Sequence, residues 1–397
     1  MAAEEHRAIV AGGGIAGMAA AVALEQAGWR VMVLERAPAF GEVGAGLALT
    51  MNGMAAADAL GVGDAVRAAG FRTASAGFQD RSGRWLVRLP AEKDGRDAIT
   101  TIWGQHRQRL HAVLHQAATA VPGVELFAGA EVTAVRPGQP GGDRAEVTWR
   151  QDGHTHATPA DLVVAADGVR SAVRTQLFPV VEPRYGGSTS WRAVIPDTSA
   201  DRRFVAVWGP EAEFGALALS DHEIYWYGYF RHPAGATFPD ELAAARDRFA
   251  GYPSWVGGLL AETTADRLIR NDVYHLPQGP PSYVTGRVAL IGDAAHACLP
   301  TAGQGAATAL EDAICVGRLI ARPVREGIPL AAALTTFDQA RRPRGQRIVR
   351  TAMTIARFGA DLGPGWRQSA RDTALRLLPP ALMLRAGTSI ARWTPPA

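Results

Sequence analysis

The stretch RVALIGDAAHACLPTAGQGAATALEDA, residues 287–313, decides the fold of this 397-residue chain. It begins with an apolar run ended by a glycine, a pattern that predicts a buried strand of a parallel sheet. Asp293 follows at the carboxyl end of that strand, where open α/β sheets bind their ligands. A glycine-rich loop then leads into a predicted helix over residues 306–320, whose free N-terminal amides favour an anion or an electron-rich ring edge. Glu311 and Asp312, early in this helix, suit the positive end of its dipole.

The partner stretch lies near the start of the chain, where GGGIAG at residues 12–17 stands between a predicted strand over residues 8–11 and a helix over residues 18–26. Glycines at this spacing give a tight turn, close approach of a pyrophosphate and close packing of helix on strand. The next predicted strand, residues 29–34, is closed by Glu35, whose carboxylate can accept a hydrogen bond from a ribose 2′-hydroxyl. Together these features predict a dinucleotide site that takes an unphosphorylated ribose, as in FAD rather than NADP.

Two further motifs complete the pattern: DLVVAADGVRS at residues 161–171 and an Arg-Arg-Pro sequence at residues 341–343. In this order, the motifs resemble those of the flavoprotein aromatic hydroxylases, the single-component FAD monooxygenases with the para-hydroxybenzoate hydroxylase fold. The resemblance spans roughly residues 7–345. It is closest to the branch that contains salicylate hydroxylase, urate hydroxylase and zeaxanthin epoxidase.

The resemblance implies an α/β fold made of a Rossmann-like FAD-binding domain of the GR2 type, an inserted substrate domain with a mostly antiparallel β-sheet, and C-terminal helices. Short strand-like runs separated by Pro, Gly and Asp turns support the β-rich insertion. We expect the FAD-binding domain to comprise residues 1–70, 104–180 and 276–345, the substrate domain residues 71–103 and 181–275, and the C-terminal helical segment residues 346–397.

The same resemblance implies which residues contact a non-covalently bound FAD. Arg107 opens a predicted helix and offers paired donors to phosphate oxygens, the backbone of Val132 meets adenine in relatives, and Asp167 lies near the pyrophosphate. The predicted cofactor-binding residues are Gly12, Gly14, Ile15, Ala16, Gly17, Glu35, Arg36, Gly46, Arg107, Val132, Asp167, Asp293, Pro300, Gly303, Gln304, Gly305 and Ala306. Because the chain has no second GxGxxG sequence, NAD(P)H is expected to bind transiently as a co-substrate.

The activity implied is that of an NAD(P)H-consuming, FAD-dependent monooxygenase. Such an enzyme inserts one oxygen atom of O2 into an aromatic or polyketide-like small molecule through a flavin C4a-hydroperoxide. Epoxidation and Baeyer–Villiger insertion are alternatives, as is a flavin reductase or dehydrogenase of the same fold that inserts no oxygen. A flavin-loaded binding protein without turnover is an alternative from a different class. The sequence WRAVIP, residues 191–196, lacks the second tryptophan of the W-x-W-x-I-P motif, which argues against a halogenase.

Residues 224–231, IYWYGYFR, alternate as a strand does, with three tyrosines on one face and other large apolar residues on the opposite face. The tyrosine face either lines a substrate pocket or packs under outer helices. The predicted pocket residues are Tyr225, Tyr227 and Pro300; the last lies in the glycine-rich loop before the helix at residue 306, which we call the flavin loop. Tyr225 matches a tyrosine that contacts substrate in urate-hydroxylating relatives. Glu213 stands where those relatives carry an arginine for their anionic substrate, so the resemblance does not point to urate itself.

No side chain stands out as a catalytic base. The candidates are His296 in the flavin loop, His222, His275 and Tyr225. Some relatives use no protein base, because the hydroxyl or the ring of the substrate supplies the electrons.

Charge and composition limit the partners. A formal net charge of +3 is too small to indicate nucleic acid. The two cysteines, Cys298 and Cys315, provide neither metal-ligand spacing nor a disulfide framework, so we expect no metal and a reducing, cytoplasmic location. No apolar run reaches the length of a membrane span, and the first apolar stretch is the nucleotide-binding strand, so no cleaved signal peptide is expected. We expect a small-molecule substrate, a monomer or a dimer, and no membrane partner.

The tail, residues 366–393, mixes apolar residues with five arginines. A basic amphipathic helix can lie on a membrane surface. We expect instead that its apolar residues pack on the protein and that its arginines face solvent.

Overall fold

The computed structural model describes residues 5–41, 44–89, 101–196, 202–379 and 389–397. The strands of this described part are β1 (Arg7–Ala11), β2 (Arg30–Glu35), β3 (Gly46–Leu49), β4 (Gly70–Asp80), β5 (Trp85–Arg88), β6 (Thr101–His106), β7 (Val124–Ala128), β8 (Glu131–Arg136), β9 (Ala145–Gln151), β10 (His154–Ala160), β11 (Leu162–Ala165), β12 (Arg184–Pro196), β13 (Phe204–Gly209), β14 (Ala212–Ala218), β15 (Glu223–Arg231), β16 (Ile269–His275), β17 (Val284–Thr285) and β18 (Val288–Leu290). The α-helices are α1 (Ile15–Gln26), α2 (Met51–Ala59), α3 (Gly63–Ala69), α4 (Arg107–Ala120), α5 (Ala172–Leu177), α6 (Glu241–Arg248), α7 (Ser254–Glu262), α8 (Asp293–His296), α9 (Gly305–Cys315), α10 (Arg322–Arg325), α11 (Leu330–Phe358) and α12 (Trp366–Leu377).

The first sheet has six strands in the order β17-β18-β11-β1-β2-β7. Neighbours from β18 to β7 run parallel, and the edge strand β17 is antiparallel. β11 is buried at every position and β1 at all but its first, as is typical of parallel strands covered on both faces. Helix α1 packs between this sheet and helices α4 and α9. This arrangement confirms the predicted α/β class with a Rossmann-like nucleotide-binding unit.

The second sheet has nine strands, in the order β16-β12-β15-β14-β13-β4-β6-β3, with β5 beside β4. Its pairs are antiparallel except for β13 with β4. The long strand β4 pairs with β6 over its first half, Gly70 to Ala74, and with β13 over its second half, Ser75 to Asp80. The sheet curls, because β12 near one edge lies against β3 at the other.

The two faces of this sheet differ in what covers them. On the outer face, Trp226 and Phe230 of β15 pack with Phe249 and with Val256 of α7 in one apolar cluster. The tyrosines of β15 lie on the other face, inside the curl, where Tyr225 packs with Leu217 and with the residues beside β3. The alternation predicted for this strand is therefore confirmed. Trp226 and Phe230 lie under α6 and α7, whereas Tyr229, with Tyr227 beside it, packs in a cluster that includes Ala352 and Ala356 of α11.

Two elements differ from the sequence prediction. Strand β10, sequence HTHATPA, pairs along β9 but was not predicted, because it is a polar, mostly exposed edge strand with little hydrophobic alternation. The helix expected over residues 306–320 ends its α-helical part at Cys315 and continues as a π-helix, Val316–Ala321. Within that π-helix, Gly317 lies so close to α1 that a Cβ there would be 2.8 Å from the Ala23 carbonyl oxygen.

The C-terminal helix α12 lies on the protein through its arginines. Arg371 donates to the Phe358 and Gly359 carbonyls and stacks over Trp208, and Arg376 pairs with Asp80. By contrast, Trp366 is 76% exposed and Leu377 is 78% exposed. For α12 the expectation that apolar residues attach the tail is therefore wrong, because partly buried arginines meet backbone carbonyls, an indole and a carboxylate here. Nearer the end of the tail, Ala391 is buried and Trp393 packs against the main core as expected, and residues 380–388 lie outside the described part.

Candidate active site

The glycine turn after β1 is built so that no side chain fits. Gly12 has φ +106°, and a Cβ there would lie 2.4 Å from the Ala166 carbonyl oxygen. A Cβ on Gly17 would lie 1.9 Å from the Gly12 carbonyl oxygen. Helix α1 begins directly after the turn, with Gly14 as N-cap and no capping side chain. Its first amides therefore remain available to an anion, as a dinucleotide pyrophosphate requires.

Glu35, the last residue of β2, is fixed beside this turn. One carboxylate oxygen accepts from the Gly13 amide at 2.7 Å and the other from the Ala37 amide at 2.8 Å. A carboxylate has about four lone-pair sites, so acceptor capacity is left for ribose hydroxyls. Arg36, next to it, is exposed.

The loop between β18 and α9 forms a second wall. Gly292 has φ +55° and ends the strand, and Asp293 is exposed at the first position of the short helix α8. A 3-10 turn at Pro300–Ala302 follows, with Gly303 in the left-handed conformation. A Cβ on Gly303 or on Gly305, where α9 begins, would meet no protein atom within 4 Å. The N-terminus of α9 therefore faces open space, which a flat ring can occupy.

Three other predicted cofactor residues lie on elements around these walls. Asp167 follows β11, and its Oδ2 accepts from the Val173 amide at 3.1 Å. Its Oδ1 is buried and makes no hydrogen bond within the described residues, so it is free to accept one from a ligand. The Arg107 amide donates to the Ala45 carbonyl at 2.9 Å, which joins the start of α4 to the segment before β3. Val132 lies on β8, a strand that packs beside β2.

The side chain of Gln304 is engaged by the protein itself. Its amide nitrogen donates to Thr50 Oγ1 at 3.0 Å, and its oxygen accepts from Asn52 at 2.9 Å. These bonds join the N-termini of α2 and α9. A contact from Gln304 to a cofactor would therefore come from its backbone.

A buried ion network holds the flavin loop from behind. Asp312 of α9 accepts from the Gly292 amide at 2.8 Å and from Arg341 Nε of α11 at 2.6 Å. Glu311 pairs with Arg341 at 2.9 Å and with Arg344. Both acids are buried in the second turn of α9, so the interpretation that they serve the helix dipole is wrong. The acids and the arginines are visible in the sequence, but residues that pair across about 30 positions leave no local sequence pattern by which the pairing could be predicted.

His296 belongs to this network. Its Nε2 lies 2.6 Å from Asp312 Oδ2, and the ring is 3% exposed. Burial works against the charged imidazolium, but the charge of Asp312 and the hydrogen bond with it outweigh burial and raise the pKa of His296. The contact gives this histidine a structural role in the loop. His222 is exposed in the turn between β14 and β15, whereas His275 is buried at the end of β16, where burial lowers its pKa.

Two tyrosines form the wall of the curl that faces β3. Tyr225 packs so closely on Gly46 that a Cβ there would lie 2.2 Å from the tyrosine Cγ. The Tyr227 ring lies over Gly215, and its hydroxyl donates to Glu213 at 2.5 Å. Glu213 is 4% exposed, also accepts from Trp208 at 2.8 Å, and has its pKa raised by burial. Glu213, which stands in place of the expected arginine, is thus hydrogen-bonded to two side chains of the protein itself. Pro300, the third predicted pocket residue, is exposed.

Comparison with known proteins gives the family. A family model described as an FAD binding domain matches residues 5–352. The chain belongs to the FAD-dependent aromatic hydroxylases. This hydroxylase is 35% identical over 354 residues to the aurachin C monooxygenase/isomerase of Stigmatella aurantiaca. The aligned region covers 88% of this chain and 89% of that protein. It is 32% identical over 381 residues, 94% of each chain, to the 2-heptyl-3-hydroxy-4(1H)-quinolone synthase of Pseudomonas aeruginosa.

Among solved structures, a variant of HpxO from Klebsiella pneumoniae complexed with FAD matches with a TM-score of 0.86, at 25% identity over 98% of each chain. The hydroxylase is thus an FAD-dependent monooxygenase with NAD(P)H as co-substrate. The glycine turn, the unpaired oxygen of Asp167 and the open space before α9 suit that cofactor. Within the described ranges, no helix is long and apolar enough to cross a membrane, and no cluster of three metal-ligating side chains occurs.

Proposed function

We propose that this hydroxylase inserts one oxygen atom of O2 into the ring of a bicyclic nitrogen heteroaromatic, with a 2-alkyl-4(1H)-quinolone as the first candidate. The Pseudomonas aeruginosa relative, aligned over 94% of each chain, is named for the product 2-heptyl-3-hydroxy-4(1H)-quinolone. That product differs from 2-heptyl-4(1H)-quinolone by one ring oxygen, as expected for a monooxygenase. Its flat ring and alkyl chain match the chemistry of the wall described above.

The observation that carries this proposal is the placement of Tyr225 and Tyr227 inside the curled sheet, against β3. Leu217, Val194 and Ala48 complete an apolar cluster with these two rings. Aromatic faces bind a planar ring by offset stacking, and apolar neighbours favour an uncharged, lipophilic body. A site that excludes water also favours the chemistry of oxygen transfer.

The predicted cofactor residues retain these roles as part of the proposal. The glycine turn and α1 would hold the pyrophosphate, Glu35 the ribose, and Asp293 with the amides at the start of α9 the flavin end. FAD reduced by NAD(P)H would supply the oxygen-activating chemistry. The division into FAD-binding and substrate domains, and a cytoplasmic location for a chain with two free cysteines, belong to the same proposal.

We assign no protein base to the reaction. His296 is held by Asp312 and His222 is exposed, and the Tyr227 hydroxyl already donates to Glu213. The ring nitrogen of a 4-quinolone can itself donate electron density through the adjacent double bond to C3, the carbon that carries the hydroxyl group in the 3-hydroxy product.

The test measures NAD(P)H loss and oxygen uptake together on the FAD-loaded protein, with 2-heptyl-4(1H)-quinolone, salicylate and 3-hydroxybenzoate as separate substrates. We expect coupled consumption with the quinolone and a product that is one oxygen atom heavier, hydroxylated on the ring. An epoxide or a ring-expanded product would instead support epoxidation or Baeyer–Villiger insertion. Flavin reduction without an oxygenated product would favour a reductase, and no NAD(P)H oxidation with any ligand would favour a binding protein.

A further inference from the structure

Arg192 lies on β12 and points to the same side of the sheet as the two pocket tyrosines. It stands opposite Tyr227 in the register of β12 with β15, and Val194, two residues on, stands opposite Tyr225. Trp191 and Ala193 alternate with them and pack in the outer apolar cluster. The guanidinium group of Arg192 is thus directed into the curl rather than toward the outer helices.

No carboxylate in the described part of the chain forms an ion pair with Arg192. Its Nε is 3.3 Å from the hydroxyl of Ser190, a buried neighbour on the same face. Glu213, the buried acid on β14, which is separated from β12 by β15, is occupied by Trp208 and Tyr227. A partly buried guanidinium has five N–H donors, so most of the donors of Arg192 remain for a ligand.

The position of Arg192 is close to the cofactor side of the curl. Strand β12 lies against β3, the strand that carries Gly46, and Tyr225 packs on that glycine. Burial raises the pKa of the Tyr225 phenol, while the charges of Arg192 and Arg107 act in the opposite direction. Both cations therefore lie near the same phenol, with Arg107 at the start of α4 and Arg192 on the substrate sheet.

We propose that Arg192 is the substrate-positioning residue, whose guanidinium binds an oxygen atom attached to the aromatic ring of the substrate. The ligand chemistry is a ring carbonyl or phenolate oxygen conjugated with the carbon that receives oxygen. Arginine suits this task, because it stays charged and presents N–H donors in a fixed plane. Bound in this way, the oxygen fixes the orientation of the ring, and the guanidinium cation stabilises negative charge on that oxygen. This inference deepens the proposed function and, for its quinolone form, rests on it.

The experiment compares ligand pairs that differ only in the ring oxygen. Binding of 2-heptyl-4(1H)-quinolone and 2-heptylquinoline, and of 3-hydroxybenzoate and benzoate, is measured by the change in flavin absorbance of the FAD-loaded protein. The proteins are wild type, Arg192→Met, Arg192→Lys and the control Arg184→Met, which removes an exposed arginine from the same strand. Hydrogen bonds to charged groups contribute enough for the wild type to prefer the oxygen-bearing ligand of at least one pair by roughly 10- to 100-fold.

We expect Arg192→Met to lose that preference, Arg192→Lys to keep part of it, and Arg184→Met to keep all of it. Arg192→Gln replaces Arg192→Met if the latter does not retain FAD. If Arg192 had only a structural role, its replacement would weaken the binding of both ligands of a pair equally. That result would overturn the proposal. So would an Arg192→Met protein that keeps the preference, or a wild type that shows no preference for the oxygen-bearing ligand. If the oxygen preference depends on Arg192 but no quinolone is oxygenated, the proposed function fails and the inference stands. If quinolone is oxygenated and Arg192→Met keeps the preference, only the inference fails.

Discussion

The contact between Gly46 and Tyr225 predicts how Gly46→Ala changes the free energy of unfolding, and even the sign of that change is informative. A Cβ on Gly46 would lie 2.2 Å from Cγ and 2.5 Å from Cβ of Tyr225. These atoms are at the base of the side chain, so the ring cannot avoid the clash by rotating its far end. Overpacking of this kind costs about 1–3 kcal/mol. A glycine-to-alanine change at an unstrained position stabilises by about 0.4–1 kcal/mol through the unfolded state. We therefore expect Gly46→Ala to lower the free energy of unfolding by about 1–2 kcal/mol.

The assay is urea unfolding of FAD-free protein, followed by tryptophan fluorescence, for a double-mutant cycle. Tyr225→Ala removes the clashing ring, so we expect the penalty of Gly46→Ala to disappear in the double variant, as a coupling of similar size. The matched control is Gly257→Ala on α7, where a Cβ meets nothing within 4 Å and a helical alanine should stabilise.

A Gly46→Ala protein as stable as wild type, or a penalty that survives in the Tyr225→Ala background, would refute the packing of this tyrosine on β3. With FAD bound, we expect the displaced ring in Gly46→Ala to raise the KM for substrate. The bulkier Gly46→Val should waste NAD(P)H as hydrogen peroxide. Oxygen uptake compared with product formation measures that waste.

Three further predictions concern the flavin loop. Asp293→Ala should lose most of its bound FAD, measured by flavin fluorescence on dilution, and an unchanged FAD affinity would contradict the role proposed for this carboxylate. Arg341→Met should lower the free energy of unfolding by about 3–5 kcal/mol, because it leaves Asp312 as a buried, poorly compensated charge; urea unfolding beside the exposed-site control Arg184→Met measures this. His296 has a raised folded-state pKa, so its contribution is complete below the unfolded-state value and is lost as pH rises through the folded one. The stability difference between wild type and His296→Gln should therefore shrink at alkaline pH, and a difference that grows with pH would contradict the charged pair.

The parts of this fold that the sequence predicts are those with short-range physical causes. The GGGIAG turn is set by contacts that a Cβ would block, and the run before Asp293 is a strand because it is buried on both faces. The ion network of Asp312 and Arg341 could not be predicted, because its partners come from helices far apart in sequence. Arg192 was missed for a related reason: its importance depends on which face of β12 meets β3, and that follows from the curl of the whole sheet.

The pairing of β4 has a mechanical consequence for how the two halves of the molecule can move. Its first half is hydrogen-bonded to β6, on the side of the nine-stranded sheet that carries β3, and its second half to β13, on the side that carries β15. A clamshell opening between the halves would have to bend or break this continuous backbone ladder, whereas a hinge in a loop would not. Passage of substrate and product by displacement of a smaller part, such as a loop or a side chain, would leave this ladder intact. The same shared strand belongs to both halves, so we expect the FAD-free protein to show a single calorimetric transition on heating; two separate transitions would contradict this coupling.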